Sequence, residues 1–390
     1  MLKTSWLTNP FYVYIISYSV VFIVYALGWS NAFSDISLSV QIFFGITFLV
    51  SLLFSYPISL RNKNIEFNIS TNTLNKTVLF GMTLGYIVEF FYNRGVPIFL
   101  ILKGSDYDYT SFGIPTFHVF LITFTSFYSV YLFHQYLCDK TKKTLLYTLY
   151  SCVPHILIFN RGSLLFVLTS MLFVFLLSIK QLKWKRLLSI LLLILIILFY
   201  FGKFGNLRSA GGDNTYIPKA SGVNPQFLSS KIPNEYFWGY AYIASPMANF
   251  QHNTNIKKAQ TSFSDYACFV KSELLFDFIS KRLPGECEIK KEQVFKHFTV
   301  GTQFTNSYCL IGWTGPIILF LFGSFVTLFY LLLIPIHSKY YVTALAILLT
   351  VFVYNTFSNM WSFTGLSFQL VYPIIGSLLN KKNENHCIKK

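Results

Sequence analysis

The segment Leu187–Phe201, "LLSILLLILIILFYF", carries no charged residue, and this feature restricts the fold more than any other. Crossing the hydrocarbon core of a bilayer takes about 20 mainly apolar residues in one helix. Further segments have the same character, and the sequence predicts ten spans at 11–29, 37–58, 77–92, 116–137, 144–159, 163–180, 187–202, 313–335, 341–357 and 362–379. The predicted fold class is therefore all-α, a polytopic helical membrane protein.

The composition agrees with a membrane protein and argues against nucleic-acid binding. Only 12% of the residues are charged, about half of the share found in soluble domains. The net charge is +16, but the lysines gather at the ends of apolar segments, where they orient a membrane protein. Because no basic arm with interleaved aromatic residues is present, nucleic acid is not an expected partner. The short stretch before the first span contains no cleavable signal peptide.

The distribution of positive charge predicts which connections face the cytoplasm. One set contains "RNKN", "DKTKK", "KQLKWKR" and the tail "KKNENHCIKK", whereas the opposite short loops contain only Arg94, Lys103 and Arg161. The first set, with both termini, is expected inside. Three regions result: an N-terminal transmembrane bundle with seven spans, a large periplasmic loop with amphipathic helices, and three C-terminal spans with a basic tail, at 1–203, 204–303 and 304–390.

Six cysteines are present, and three of them fall on the predicted outer side. Cys268 and Cys287 can form a disulfide there, since the compartment is oxidising. Two free thiols, or pairing with Cys309, remain open alternatives. No zinc-binding spacing occurs, so no metal site is expected.

Two Asn-Arg-Gly motifs, at 93–95 and 160–162, place arginines at the predicted outer face. A guanidinium cannot lose its proton beside hydrocarbon, and its planar fork matches phosphate oxygens. Gly162 precedes a span, whose helix N-terminus attracts anions. We therefore predict a pyrophosphate site formed by Arg94, Arg161, Gly162 and Arg208, the last in a glycine-rich stretch. Interfacial anchoring of these arginines, and a buried Glu89–Arg94 pair, are the alternatives.

Histidines on the same side are candidates for a general base beside a pyrophosphate. His118, His155, His252 and His297 all lie on the predicted outer side. His252 is the first choice, because polar asparagines surround it in "NFQHNTN". An ordinary surface or packed histidine is the alternative for each.

The layout resembles the bacterial O-antigen polymerases, the Wzy-type oligosaccharide repeat-unit polymerases. The likeness is carried by "NRGVPIF", "SDYDYTSFGIPTFHVF", "FNRGSLLFVLTSML" and "NEYFWGYAYIASPMANF", and it covers residues 77–379. The resemblance implies an architecture similar to that of GT-C-type glycosyltransferases. It further implies a transfer reaction without metal or cofactor at the outer face of the inner membrane. There the growing glycan moves from undecaprenyl pyrophosphate onto a new lipid-linked repeat unit.

The resemblance also implies roles for particular residues and partners. Arginines would hold the pyrophosphate, with Arg208 stabilising charge on the leaving group and His252 serving as the base. Tyr236, Trp238 and Tyr240 in the outer loop would stack on sugar rings. The expected partners are the undecaprenyl-pyrophosphate-linked oligosaccharide, the phospholipid bilayer and a chain-length regulator.

Two other functions are compatible with the sequence. An O-antigen ligase uses the same donor, and a lipid-linked oligosaccharide flippase or transporter would perform no chemistry. Transporters usually have repeated halves and charged residues deep in the membrane. Here the halves are unequal, and Glu89 is the one acidic residue clearly within a predicted span. These features favour the polymerase.

The predicted topology can be tested with reporter fusions. Because positive loops are retained inside, fusions at Lys140, Lys183 and Lys382 should report the cytoplasm. A fusion near Asn253 should report the periplasm. An outward signal at Lys183 would contradict the topology.

Overall fold

Helices dominate the computed structural model, which describes residues 2–3, 6, 8–63, 65–67, 69, 75–103, 112–179, 181–210, 212–256 and 261–387. The first half of the chain forms α1 (Pro10–Tyr25), α2 (Leu38–Asn62), α3 (Asn75–Tyr92), α4 (Pro97–Leu102), α5 (Phe117–Asp139), α6 (Lys142–Leu157), α7 (Arg161–Ser178) and α8 (Trp184–Ala210). The second half forms α9 (Tyr216–Ala220), α10 (Pro225–Leu228), α11 (Tyr236–Asn255), α12 (Phe263–Phe269), α13 (Asp277–Ser280), α14 (Gln303–Ile311), α15 (Thr314–Leu333), α16 (Tyr341–Tyr354), α17 (Thr364–Ser367) and α18 (Val371–Cys387). Two short strands, β1 (Leu2–Lys3) and β2 (Gln181–Leu182), pair antiparallel, with Leu2 opposite Leu182.

The all-helical fold class is confirmed, and its apolar helices agree with a helical membrane protein. Nine of the predicted spans each overlap one helix, and the tenth covers α17, a 3-10 turn and the start of α18. Five helices in the described part of the chain are long and apolar enough to cross a bilayer: Leu38–Asn62, Phe117–Asp139, Arg161–Ser178, Leu188–Leu207 and Thr314–Leu333. Shorter apolar helices cover Pro10–Tyr25, Tyr341–Tyr354 and Thr364–Leu379.

Two helices show how the bundle divides its apolar side chains between protein and lipid. Every residue of α16 from Tyr341 to Phe352 is buried, as expected for a helix at the centre of a bundle. It packs between α1 and α7. By contrast, α8 exposes leucine and isoleucine over most of its length. An exposed apolar surface of that extent needs lipid around it.

Residues 212–256 and 261–303 form a packed layer on one end of the bundle, which we call the outer layer. Its longest helix, α11, is largely buried and packs against α1, α8 and α14. The sequence predicts one amphipathic helix over 262–285, but the structure has three pieces. A Ser262–Asp265 capping box starts α12, a π-helical turn Val270–Leu274 follows, and the extended residue Leu275 precedes α13.

Contacts among the segments that join the helices show which of these segments share an end of the bundle. At one end, Tyr240 of the outer layer accepts a hydrogen bond from Ser30 N–H at 3.3 Å. The N–H group of Gln303 there donates to Asn355 O. At the other end, Tyr341 Oη donates to Asn62, and β1 pairs with β2. The predicted outer connections therefore lie together, away from the predicted cytoplasmic ones.

The predicted disulfide between Cys268 and Cys287 is confirmed by an S–S contact across 19 positions of the chain. A closed loop of this size stabilises a fold by about 3 kcal/mol in the chain-entropy description. Cys309 is not part of the bridge, and its Sγ lies 3.3 Å from Asn253 Oδ1.

Glu273, on the π-helical turn, anchors the outer layer to the connection between α16 and α17. Its side chain is buried, and Asn359 Nδ2 donates both to its carboxylate at 2.9 Å and to its backbone carbonyl at 2.8 Å. Burial raises the pKa of Glu273, and this effect outweighs its hydrogen bonds and the attraction of Lys291. The ionised carboxylate therefore destabilises the folded layer.

Glu273→Gln should stabilise the protein in a pH-dependent way. The folded-state pKa is raised from 4.5, so the stability contributed by this carboxyl is full at lower pH and is lost as pH rises through the folded-state pKa. Glutamine keeps the acceptor for Asn359 and carries no charge. We expect its melting temperature in detergent to match the wild type near pH 4 and to exceed it at neutral pH. Glu286→Gln, at an exposed position, is the control, and an equal gain at all pH values would contradict the prediction.

Candidate functional site

Both Asn-Arg-Gly motifs lie at helix ends of the same geometry. At the end of α3, Gly95 N–H donates to Phe90 O at 3.0 Å and Arg94 N–H to Phe91 O at 3.1 Å. At the end of α6, Asn160 N–H donates to His155 O at 3.1 Å and Phe159 N–H to Ile156 O at 3.0 Å. Each pair of bonds forms a Schellman motif. The left-handed residues are Arg94, with φ 54°, and Phe159, with φ 63°.

Neither left-handed position holds glycine, the residue normally found there. A side chain in this conformation costs roughly 1–2 kcal/mol. Arg94 is exposed and has no packing role that would offset this cost. Phe159 supports Arg161, whose guanidinium carbon lies 4.4 Å from the ring centroid. Backbone strain is therefore maintained at both motifs, and both display an exposed arginine.

The first turn of α7 completes the second motif. Asn160 Oδ1 accepts a hydrogen bond from Ser163 N–H at 3.0 Å and so caps the helix. Arg161 is the first helical residue, and a Cβ at Gly162 would meet Asn160 Oδ1 at 3.7 Å, an ordinary contact distance. The predicted neighbourhood of Arg161, Gly162 and a helix N-terminus is present.

Glu89 pairs with a histidine, so the alternative of a buried Glu89–Arg94 pair is wrong. The side chain is fully buried, and its Oε2 lies 2.9 Å from Nδ1 of His118 in the first turn of α5. Asn93 Nδ2 donates to the carbonyl of Glu89 at 2.8 Å, and its Oδ1 accepts from Gly113 N–H at 3.3 Å. The end of α3 is thus tied to the residues that precede α5.

His118 is the one partly exposed member of this pair, at 18% of its side chain. Its ring packs edge-on against Phe112 at 5.3 Å. Gly113, with φ 101°, lies so close that any side chain there would collide with the ring. Within the described part of the chain, Nε2 has no hydrogen-bond partner. A histidine whose Nδ1 is held by a carboxylate and whose Nε2 is available has the geometry of a general base.

His155 adds a second, buried histidine to the same end of the bundle. Its Nδ1 lies 2.9 Å from Ser163 Oγ in the first turn of α7, and α6 and α7 both pack against α5, the helix of His118. Buried polar atoms normally have partners, yet Nε2 of His155 and Oε1 of Glu89 have none among the described residues. We call Glu89, His118, His155 and Ser163 the outer cluster.

An apolar groove of about 90 Å³ lies between α3 and α6, below the outer cluster. Tyr86, Phe90, Pro154 and Leu157 contribute to its lining. Phe90 and Leu157 of its lining lie four positions before Arg94 and Arg161 in the chain.

The remaining predicted residues lie on α8 and α11, which pack against each other. Arg208 belongs to the last turn of α8, which packs against α9 and α11, and its side chain lies outside the described residues. Trp238 and Tyr240 are buried. The Trp238 Nε1–H group donates to Asn206 Oδ1 at 2.6 Å, and the Tyr240 ring packs against Trp29 at 5.2 Å. These two rings have no free face for a sugar, because protein covers them, and sugar stacking remains a prediction only for the half-buried Tyr236.

His252 makes no contact with the outer cluster among the residues that the structure describes. It lies near the end of α11, with Nε2 3.5 Å from Glu292 Oε2. The neighbouring Gln251 accepts a hydrogen bond from Ser37 N–H, just before α2. His118 is therefore better placed than His252 to act as a base beside Arg94 and Arg161. One signal in the sequence could have indicated it: a carboxylate within a span, such as Glu89, requires a partner.

Comparison with protein-family models, with curated proteins and with solved structures found no match to this chain.

The strain at Arg94 predicts a conflict between stability and function. Glycine adopts the left-handed conformation without cost, so Arg94→Gly should be more stable than Arg94→Ala by on the order of 1 kcal/mol. Both variants lose the guanidinium, so their difference reports on the backbone conformation alone. Thermal unfolding in detergent measures the difference. Equal stability of the two variants would show that the backbone there is not strained.

Proposed function

We propose that this chain is a membrane glycosyltransferase that polymerises lipid-linked oligosaccharide repeat units, as its resemblance to Wzy-type polymerases implies. The observation that carries the proposal is the buried Glu89 carboxylate holding a partly exposed His118. Both Asn-Arg-Gly motifs end helices next to this pair in the fold, on α3 and between α6 and α7. A carboxylate–histidine pair and two exposed guanidinium groups are the parts needed to activate a hydroxyl and to hold a pyrophosphate.

The proposal includes ten membrane spans, with the outer cluster at the periplasmic face. The distribution of lysine and arginine supports this orientation, because the short loops at the opposite end carry most of them. The separation of the two ends in the fold supports it as well. The protein would then act in the bacterial inner membrane, with both termini cytoplasmic. Its similarity to GT-C-type enzymes remains part of the proposal.

In the proposed reaction, His118 Nε2 removes the proton from a hydroxyl of the new repeat unit. The hydroxyl oxygen forms a bond with the anomeric carbon of the growing glycan. The bond from that carbon to the phosphate oxygen breaks, and undecaprenyl pyrophosphate leaves with the bonding electron pair. Glu89 stabilises the resulting imidazolium, since its carboxylate lies 2.9 Å from Nδ1.

Charge on the leaving group is the larger electrostatic problem in this reaction. Arg94 and Arg161 are exposed and contribute fixed positive charge. Such groups stabilise developing negative charge more effectively where hydrocarbon excludes water. The groove between α3 and α6 would receive the first isoprenoid units of the donor, so that the lipid and its pyrophosphate are oriented together.

A transport function is the second candidate, and one observation favours it. Glu89 is buried within a predicted span, and its Oε1 has no partner among the described residues. Intramembrane carboxylates often serve proton or ion pathways. A lipid-linked oligosaccharide flippase could use such a group without any covalent step. An O-antigen ligase, which shares the donor, would use the same parts as the polymerase.

The lipopolysaccharide gel pattern of a deletion strain, complemented with variants, tests the proposal. General-base catalysis contributes about 10²–10⁴-fold, so His118→Ala at normal membrane abundance should leave core with one repeat unit and no ladder. Glu89→Gln should shorten the ladder, because the histidine loses its carboxylate. His297→Ala, an exposed outer-layer histidine, is the matched control.

Other outcomes of this experiment reject parts of the proposal. A normal ladder in His118→Ala, together with its loss in His252→Ala, would return the base assignment to His252. Complete loss of O-antigen in the deletion strain, including the single repeat unit, would favour a flippase or a ligase.

A further inference from the structure

The outer layer contributes an arginine to the start of α5, the helix that carries His118. Arg282 Nη2 donates to Thr116 Oγ1 at 2.5 Å, and its Nη1 donates to the carbonyl of Phe278. Thr116 immediately precedes α5 and has a left-handed backbone, with φ 71°. His118 follows two positions later, in the first turn. A residue far away in the sequence is thus brought to the rim of the outer cluster.

Several contacts hold the segment that carries Arg282. The Cys268–Cys287 disulfide closes it. Lys271 Nζ, within the loop, donates to Leu283 O at 2.8 Å, immediately after Arg282. Before Arg282, Asp277 N–H donates to Ser362 O at 2.8 Å, and Asp277 Oδ1 accepts from Thr364 N–H at 3.1 Å.

Aromatic packing attaches the same segment to α5. Phe278 contacts Phe120 with ring centroids 6.0 Å apart and Phe368 at 5.5 Å. Phe120 lies on α5 two positions after His118. The guanidinium of Arg282 in turn lies 5.9 Å from the Phe278 ring. Arg282 is therefore positioned relative to His118 through rigid neighbours as well as through its own hydrogen bond.

The charge of Arg282 is not neutralised by the residues around it. The oxygens that it contacts are a hydroxyl and a backbone carbonyl. No carboxylate forms a salt bridge with it within the described ranges, and the side chain is exposed. A guanidinium has five N–H donors, so donors remain for a ligand. An arginine that is held in place, has no carboxylate partner and lies near a partly exposed histidine can bind an anion.

We infer that Arg282 is a further substrate-binding residue, which contacts the pyrophosphate of the lipid-linked donor together with Arg94 and Arg161. This inference rests on the proposed function and assigns to Arg282 the third position that the sequence suggested for Arg208. The segment 268–287, which the disulfide closes, holds Arg282 in position. Arg208 is on α8, which packs against α9 and α11.

Binding of inorganic pyrophosphate to the purified full-length protein in detergent, measured by calorimetry, tests the inference. Charge-assisted hydrogen bonds of a bidentate arginine predict an affinity loss of about 10-fold or more in Arg282→Ala. Arg282→Lys keeps the charge without the fork and should retain part of the affinity. Lys281→Ala, the adjacent exposed lysine, should bind as the wild type does.

A second readout separates binding from folding. Thr116→Val removes the hydroxyl that anchors Arg282 and keeps the side-chain shape, so it should weaken pyrophosphate binding less than Arg282→Ala does. Wild-type affinity and a full ladder in Arg282→Ala would overturn the inference. So would a lowered melting temperature in both Arg282 variants with no rescue of binding by lysine, which would make the role structural.

The same experiments distinguish this inference from the proposed function. If His118→Ala abolishes the ladder while Arg282→Ala leaves it full, the polymerase proposal stands and only the role of Arg282 is rejected. If His118→Ala leaves the ladder full, the proposed reaction at the outer cluster is rejected, whatever Arg282 does.

Discussion

Hydrogen bonding inside a hydrocarbon solvent is the constraint on which the rest of this structure depends. Backbone groups are satisfied within helices, so side chains provide the polar contacts between them. Tyr14 donates to Thr47 at 3.0 Å, Ser170 lies 2.8 Å from Thr350, and Asn75 links Gln135 to Tyr128. Interhelical bonds of this kind contribute about 0.6 kcal/mol each. Their larger effect is to fix which helices are neighbours, since an unpaired polar group in lipid is costly.

Within this framework the ionisable groups are placed selectively. Glu89 is buried where His118 can meet its charge, at the end of the bundle that also carries Arg94 and Arg161. The two residues with strained, left-handed backbone, Arg94 and Phe159, lie at the same end of the bundle. Strained backbone persists where the surrounding structure determines it, and it often accompanies function. Glycine at position 94 would remove an arginine, and glycine at position 159 would remove the ring against which Arg161 packs.

The outer layer completes this arrangement from the other half of the chain. Glu273 and Asn359 join the layer to the bundle, and Asp277 joins it again at the start of α17. Glu273 and Asp277 both lie inside the segment 268–287, which the disulfide closes. A layer held at two points can position Arg282 over α5 without enclosing His118. His118 stays partly exposed, and the buried Glu89 of α3 fixes the orientation of its ring.

The helical fold class and the positions of the apolar helices followed from the sequence, because they depend on local composition. The two Asn-Arg-Gly motifs were visible for the same reason. The sequence left the Cys268–Cys287 disulfide open beside two free thiols and pairing with Cys309, and the tertiary structure decided it. Tertiary structure alone decided that Glu89 pairs with His118, that Trp238 and Tyr240 are buried, and that Arg282 reaches Thr116. These contacts join residues distant in the chain, and they depend on how helices are ordered around α16. Local periodicity contains no information about that order.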